Sequence, residues 1–270
     1  MLFVKFDQRK PYERITSGVE EMCRIFDHTI FSGSDSGDKI KNHLINILHK
    51  NQDIFHPVVP FEPGSDKLLG LDLTASNKDL SAVLINDTTL FGNYINDRLK
   101  TAQARYAIGG YAEHRTVYSR SAVFDAKKGS EEPRRLHLGT DIWGEKGTPV
   151  FAPVGGMVHS FAFNNQYGDY GATIILLHQL EGLPFYTLYG HLSLRDIEHL
   201  AQGQYVIRGE EIGHFGLPEE NGNWPPHLHF QIIFELGLYS GDYPGVCRFS
   251  EKEKWLSNSP DPDVILKMRT

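Results

Sequence analysis

Four histidines and one aspartate in the C-terminal half of the chain have the types and spacing of a catalytic metal site. They are His137, Asp141, His191, His227 and His229. Zinc binds imidazole nitrogen and carboxylate oxygen, and a catalytic zinc site uses three protein ligands and keeps a fourth position open. The set is therefore large enough for three ligands and two proton-transfer groups. Because zinc activates water and polarises carbonyl groups, the set predicts a metal-dependent hydrolase, which we interpret as a peptidase.

Two of these histidines lie on one predicted strand, which runs through residues 228–234 with His227 at its start. Side chains of a β-strand alternate between its two faces, so His227 and His229 point the same way and are roughly 7 Å apart. One of the two can bind the metal while the other reaches the substrate. The apolar side chains between them face the opposite way, towards a core, and are Leu228, Phe230 and Ile232.

The other three residues are expected at strand ends or in loops. His137 and Asp141 are four residues apart and share a face on a strand or a helix. Gly139 lies between them and indicates a bend or a close approach of two backbones. His191 closes the alternating run at residues 185–189, at a strand terminus. His159 and His178 lie inside other predicted strands, and we interpret them as core or surface histidines.

The same residues lie in motifs that resemble those of the M23 (LytM or lysostaphin type) zinc metallopeptidases. The motifs are His137-x-x-x-Asp141, Tyr189-Gly190-His191-Leu192 and Pro226-His227-Leu228-His229-Phe230. The connecting segments at residues 147–158, 168–178 and 209–213 resemble the family as well. The resemblance covers about residues 106–236, and its motifs match in both order and spacing.

The resemblance implies a role for each residue of the set. His137, Asp141 and His229 would bind one zinc ion per chain. His191 and His227 would be catalytic histidines that orient the attacking water and stabilise the tetrahedral intermediate. The chain would then be a zinc-dependent endopeptidase that hydrolyses peptidoglycan-type or glycine-containing peptides. The substrate-binding residues, the scissile bond, the oligomeric state and the native metal stay open.

Two departures from the family pattern occur near the last motif. Residues 217–226 end in Trp224-Pro225-Pro226, where the family usually has a small turn rich in Gly, Ser and Thr. Gln231 stands where a glutamate is common. We expect both departures at the groove wall, where they affect the choice of substrate and not metal binding. For Trp224 and for Trp143, packing around the site is the alternative interpretation.

Two other functions are compatible with the sequence. A zinc hydrolase with this site could act on a soluble intracellular peptide or amide, which the bulky Trp224-Pro225-Pro226 segment favours. A non-catalytic M23-like binding or activator module usually lacks one or more ligands, whereas no ligand is missing here. Substrate profiling separates the first alternative from a cell-wall peptidase, and metal content tests the second.

Composition limits the partners of the protein. The chain has 270 residues, of which 40% are hydrophobic and 23% charged, with a net charge of −7. Nucleic-acid-binding surfaces are basic, so we expect a peptide partner, with peptidoglycan as the candidate polymer, and no nucleic acid. No stretch approaches the ~20 apolar residues of a membrane span.

The start of the chain and the cysteines indicate a cytoplasmic protein. Residues 1–30 lack the apolar stretch and the cleavage site of a secretory signal. Cys23 and Cys247 form no CxxC pair, and we interpret them as free thiols in a reducing compartment, with one disulfide as the alternative. A cell-wall substrate would require export by a route that needs no such signal.

The pattern of the chain changes near residue 105. Residues 12–50 and 88–105 have the apolar spacing of helices, and residues 31–38, which are rich in Gly, Ser and Asp, predict a turn that divides the first stretch into two helices. From residue 106 onward, short runs of Val, Ile, Phe and Tyr bounded by glycine predict many strands. We therefore predict an α+β fold: a mainly helical N-terminal region (1–105) and a mainly antiparallel β domain (106–270). The resemblance identifies the β domain with the M23 (duplicated hybrid motif) fold.

The role of the N-terminal region is open. A scaffold is the first interpretation, and a regulatory cap or a wall of the substrate groove are the alternatives. The segment at residues 109–118 joins the two parts and contains Glu113 and Arg115, which could form an ion pair. We interpret this segment as a structural joint.

Overall fold

The computed structural model describes residues 34–125 and 131–269. The described residues form helices near both ends of the chain and strands between them. The α-helices are α1 (Ser34–Lys50), α2 (Ala82–Asn86), α3 (Thr88–Ala102), α4 (Lys252–Asn258) and α5 (Asp263–Leu266). Short 3-10 helices lie at Gln52–Ile54, Val117–Arg120, Ala122–Phe124, Leu194–Ile197 and Phe249–Glu251.

The helix predicted over residues 88–105 is confirmed as α3, which ends three residues earlier. Asp87 caps its first turn by accepting hydrogen bonds from the backbone N–H groups of residues 89 and 90. The helix ends where Gln103 adopts a left-handed backbone conformation (φ 52°). Of the helical stretch predicted over residues 12–50, α1 confirms the second helix, and residues 12–33 lie outside the described residues. The turn predicted at residues 31–38 is wrong from Ser34 onward, because α1 already begins there.

Twelve strands are found in the described part of the chain. They are β1 (Leu68–Leu71), β2 (Tyr106–Gly109), β3 (Leu136–His137), β4 (Thr140–Trp143), β5 (Pro149–Phe151), β6 (Gly156–Asn164), β7 (Gly171–Leu180), β8 (Leu183–Leu192), β9 (Tyr205–Val206), β10 (Glu211–His214), β11 (His227–Ile233) and β12 (Val246–Cys247). Eight of them form one sheet in the order β1-β2-β4-β11-β8-β7-β6-β9. Two small sheets pair β10 with β5 and β12 with β3.

The predicted α+β class with mainly antiparallel strands is confirmed. Within the large sheet only β1 and β2 pair in parallel, and the other neighbours are antiparallel. Strand β1 comes from the region before residue 105, so the sheet includes a strand from the part expected to be mainly helical. The domain boundary at residue 105 stays a prediction. No helix within residues 34–125 and 131–269 is long and apolar enough to cross a bilayer.

The central strand β11 has an apolar face and a polar face, as its alternating sequence predicts. All seven of its residues are buried. The apolar side chains Leu228, Phe230 and Ile232 lie in the main core cluster together with Leu44 and Leu48 of α1. Helix α1 and the apolar face of β11 therefore contribute to the same core, and the histidines of β11 lie on the opposite face of the strand.

Candidate metal centre

Strand pairing brings His137, Asp141 and His229 together. In the register of β4 with β11, Asp141 lies directly opposite His229. His137 ends β3, and the connection to β4 passes close to the imidazole of β11. A Cβ atom on Gly139 would lie 2.6 Å from Nε2 of His229, so no side chain fits there. The close backbone approach predicted at Gly139 is confirmed.

The ligand-type atoms of these three residues converge on one point. Nε2 of His137 lies 2.9 Å from Nδ1 of His229 and 3.2 Å from Oδ1 of Asp141. Nδ1 of His229 lies 3.1 Å from the same Oδ1 atom. A tetrahedral ion with bonds of about 2.1 Å separates its ligand atoms by about 3.4 Å. The spacing of the three atoms therefore fits one metal ion the size of zinc.

The hydrogen bonds on the far side of each ring determine which nitrogen carries the proton. Nδ1 of His137 donates to the carbonyl oxygen of Gly110 at 2.9 Å, and Nε2 of His229 donates to Oε1 of Gln231 at 2.9 Å. With its proton on that far side, each ring has a lone pair at the point of convergence, beside a carboxylate oxygen. Three acceptors facing one another repel unless a cation lies between them, so the donor set fits a bound metal.

The expectation that Gln231 lies at the groove wall is wrong. Its side chain is fully buried and accepts the proton of His229, while its amide nitrogen donates to Oγ of Ser259 at 2.9 Å. Gln231 is two residues beyond His229 on β11, so the alternation of the strand already indicated that the two side chains share a face. This departure from the family pattern therefore concerns the support of a ligand-type histidine.

The second oxygen of Asp141 is held by a buried arginine. Nη1 of Arg115 donates to Oδ2 of Asp141, and Nε of Arg115 donates to Oε2 of Glu113 at 2.7 Å. The proposed pairing of Glu113 with Arg115 is thus present, and the contact with Asp141 was not expected from the sequence. Burial acts to raise the pKa of Asp141, but His137 and Arg115 hold it well below its usual value. Asp141 is therefore a carboxylate, as a ligand must be.

His191 and His227 lie face to face beside this group. Their ring centroids are 4.1 Å apart, and the centroid of His191 is 6.4 Å from that of His229. Strand β8 places His191 beside this group, because the preceding residue, Gly190, pairs with His229 in the register of β8 with β11. The backbone of His191 is left-handed (φ 64°), a conformation that is rare outside glycine and recurs at functional sites.

Backbone carbonyls orient both of these rings. Nδ1 of His191 donates to the carbonyl oxygen of Asn221, and Nδ1 of His227 donates to that of Pro225, each at 2.8 Å. The ring of His227 also stacks on Trp143, with centroids 3.8 Å apart. Burial lowers the pKa of His227 to about 4 and that of His191 well below its usual value. Both rings are therefore neutral at pH 7, with Nε2 as the acceptor.

A cleft opens over the site. Its lining includes Asp141, His191, His227 and His229. Aromatic side chains form much of its wall, and they are Tyr118, Phe124, Trp143, Tyr170 and Trp224. Both tryptophans also belong to the buried cluster that contains Phe91 of α3. Each of them therefore both packs around the site and lines the cleft.

The remaining residues considered in the sequence lie away from this cleft or outside the described residues. His178 is buried and bonds to the carbonyl of Gly155 at 3.0 Å and to Oγ1 of Thr187 at 2.7 Å. His159 contacts the hydroxyl of its neighbour in β6. Cys247 is a buried free thiol, and Cys23 lies outside the described residues.

Comparison with known proteins gives one family match. Residues 135–238 match the model described as peptidase family M23. The L-Ala--D-Glu endopeptidase of Bacillus subtilis (strain 168) is 31% identical over 128 residues, which cover 46% of this chain and 37% of that protein. The matched stretch therefore spans well under half of that relative's length.

Solved structures of peptidases show a partial likeness. The catalytic domain of lysostaphin from Staphylococcus simulans matches 65% of this chain and 97% of its own, with 23% identity and a TM-score of 0.39. A zinc-containing peptidase from Vibrio cholerae matches 45% of this chain and 35% of its own, with 25% identity and a TM-score of 0.32. The five residues of the candidate site lie within the family match at 135–238, whereas Glu113 and Arg115 precede it.

Proposed function

We propose that this chain, whose residues 135–238 match the model of peptidase family M23, is a zinc-dependent endopeptidase acting on peptidoglycan-type or glycine-containing peptides. The observation that carries the proposal is the convergence of three buried acceptor atoms. Nε2 of His137, Oδ1 of Asp141 and Nδ1 of His229 are separated by 2.9–3.2 Å, with both ring protons on the far side. That geometry suits a cation and leaves the cleft side of the site free for substrate.

Under this proposal, these three residues hold the metal, and the two remaining histidines, His191 and His227, transfer protons. When bound, the metal supplies Lewis-acid activation of a water molecule and of the scissile carbonyl. His191 and His227 are neutral and point Nε2 away from their carbonyl partners, so either can accept a proton from the attacking water. The imidazolium that results can donate its Nε2 proton to the developing oxyanion or to the leaving nitrogen.

The substrate class rests on the relative and on the cleft. The name of the Bacillus subtilis relative specifies cleavage between L-Ala and D-Glu, a peptide bond next to an acidic residue. The cleft of this chain is lined by aromatic residues and by charged side chains of both signs, Arg134, Asp169 and Asp242. An apolar wall with a few polar groups suits a short peptide that carries charge.

Mass analysis of reaction products tests this function. Purified protein is incubated with muropeptides, a panel of glycyl peptides and intact sacculi, and each sample is repeated with a chelator and with zinc restored. We expect new peptide termini, loss of cleavage with chelator and recovery with zinc.

Two variants complete the design. His191→Ala is the inactive comparison, and His49→Ala, at an exposed position of α1, is the matched histidine control. We expect the control to cleave at the rate of the wild type. Cleavage that persists at full rate in the chelated sample or in His191→Ala would contradict the proposed function.

A further inference from the structure

Arg115 contacts one of the three proposed ligands, Asp141, and the backbone carbonyl that supports a second, His137. Its Nη1 atom donates to Oδ2 of Asp141, and its Nη2 atom donates to the carbonyl oxygen of Gly110 at 3.2 Å. That same carbonyl accepts the Nδ1 proton of His137 at 2.9 Å. One planar guanidinium therefore fixes the carboxylate directly and the imidazole through a shared acceptor.

Glu113 holds the guanidinium in place, and residues of the N-terminal region hold Glu113 and the backbone around Arg115. Nε of Arg115 donates to Glu113, whose other carboxylate oxygen accepts from the backbone N–H of Leu73 at 3.2 Å. Arg115 also forms an isolated antiparallel bridge with Thr74, and the N–H of Thr116 donates to the carbonyl of Leu73 at 3.1 Å. The segment that follows β1 thus pairs with the segment that carries Glu113 and Arg115.

The burial of this pair indicates a specific role. Only 1% of the Arg115 surface and 13% of the Glu113 side chain are exposed, and taking both charges out of water is costly. Arg115 is buried in spite of that cost, beside Asp141, whose Oδ1 atom faces His137 and His229. Since Oδ2 is occupied by the guanidinium, Asp141 has one oxygen free for a metal.

We propose that Arg115 is a positioning residue that makes Asp141 a one-oxygen metal ligand, and that Glu113 and the segment at residues 71–74 hold Arg115 for that purpose. The inference rests on the proposed function, because it requires a metal at the candidate centre. It assigns the N-terminal region a part in shaping that centre, from outside the residues that match the family.

The consequence concerns the number of ligand atoms around the metal. Without the guanidinium, both oxygens of Asp141 are free to turn towards the metal. A metal held there would bind both oxygens of Asp141. The second oxygen would take the coordination position that a catalytic site keeps open for water or substrate. Mutation of residues that hydrogen-bond to metal ligands commonly changes metal affinity or activity about 10–100-fold, so we expect a loss of about that size in activity.

Visible absorption of the cobalt(II)-substituted protein tests the proposal, because the spectrum of cobalt depends on coordination number and geometry. The test protein is the double variant Arg115→Met with Glu113→Gln, in which Glu113 is not left as a charged carboxylate without its guanidinium partner. Arg105→Met is the control, since Arg105 forms an ion pair with Asp66 at 2.9 Å and is 43% exposed. Circular dichroism checks the folding of every variant.

We expect the wild type and Arg105→Met to show the intense bands of four-coordinate cobalt, and the double variant to show the weaker bands of higher coordination. Identical spectra for the wild type and the double variant would overturn the inference and leave the proposed function standing. A wild type that binds no cobalt would overturn the proposed function itself.

A second variant keeps the inference testable if the double variant does not fold. Glu113→Gln alone keeps Arg115 but weakens the contact that orients it. We expect its cobalt spectrum to shift in the same direction by a smaller amount. A folded Glu113→Gln protein with the wild-type spectrum would overturn the inference.

Discussion

Gln231 accepts the Nε2 proton of His229 at 2.9 Å and donates through its own amide to Oγ of Ser259 at 2.9 Å. The same amide nitrogen also donates to the backbone carbonyl of Pro244 at 3.3 Å, and because a carbonyl only accepts, the amide oxygen faces the imidazole. An oriented acceptor on one ring nitrogen leaves the lone pair of the other nitrogen facing Asp141. The ligand geometry of His229 is therefore set by a neighbour that touches neither the cleft nor the proposed metal.

The first prediction is that Gln231→Met weakens metal binding without unfolding the protein. Methionine has a similar shape but no strong acceptor for the proton of His229. We expect the zinc dissociation constant, measured by competition with a chelator, to rise 10–100-fold. Gln179→Met, at an exposed position of β7, is the control and should leave the constant unchanged. Equal constants for wild type and Gln231→Met would show that this hydrogen bond does not support the ligand.

The second prediction separates the catalytic histidines from the ligands. His191→Ala and His227→Ala should each retain zinc and lose at least about 10²-fold in kcat, the usual contribution of a positioned proton-transfer group. Elemental analysis and steady-state kinetics on the same samples provide the check. If His227→Ala released the zinc, the assignments of His227 and His229 would have to be exchanged.

The third prediction concerns the loop that orients His191. The side chain of Asn221 is fully buried, donates to the carbonyls of Gly216 and Trp224, and accepts from the N–H of Trp224. Asn221→Ala leaves these groups unsatisfied, so we expect the free energy of unfolding to fall by about 1–3 kcal/mol. We also expect kcat to fall while zinc content stays the same. The backbone carbonyl of Asn221 accepts the Nδ1 proton of His191, and it shifts when the loop loses the side-chain bonds of Asn221.

Chemical denaturation and kinetics measure both effects in Asn221→Ala. The control is Asn165→Ala, at an exposed turn between β6 and β7. A variant with full stability and full kcat would mean that the loop holds its shape without this side chain.

The fourth prediction is a pH dependence of stability that comes from His178. Burial lowers the pKa of His178 to about 4, whereas the unfolded chain has a histidine pKa of about 6.5. The unfolded state therefore binds more protons between these values. The contribution of His178 is complete above about pH 6.5 and is lost as the pH falls towards 4, by up to about 1.4 kcal/mol per pH unit.

A pH series of denaturation curves on metal-free protein isolates this contribution. In His178→Gln we expect stability to depend less steeply on pH between about 4 and 6.5, because glutamine does not titrate. The other buried histidines are present in both proteins, so their effects cancel in the comparison. Parallel pH profiles for the two proteins would contradict the assignment.

The site could be anticipated from sequence because its residues are carried by regular strands. A period of two puts His227, His229 and Gln231 on one face of β11, and the antiparallel pairing with β4 supplies Asp141. Glycine at position 139 marks the point where the chain passes against the imidazole of His229. In this part of the molecule, local patterns and the family motifs indicate the same arrangement.

Other features depend on contacts that no local pattern indicates. Arg115 reaches Asp141 across 26 positions of the sequence, from a segment without regular periodicity. Strand β1 pairs in parallel with β2 through a long crossover that contains the helices α2 and α3. The four residues of β1 show no clear alternation of buried and exposed side chains that would have predicted a strand. Helices α4 and α5 have 7 and 4 residues, too short for a helical period to stand out.

Zinc content measured beside peptide hydrolysis, in the wild type and in Asp141→Ala, shows whether a metal held by this centre carries the activity. We expect one zinc per chain and cleavage for the wild type. For Asp141→Ala we expect loss of most of the zinc and of the activity, because two imidazoles without the carboxylate form an incomplete site. Full zinc occupancy in Asp141→Ala, or full hydrolysis by protein stripped of zinc, would contradict these expectations.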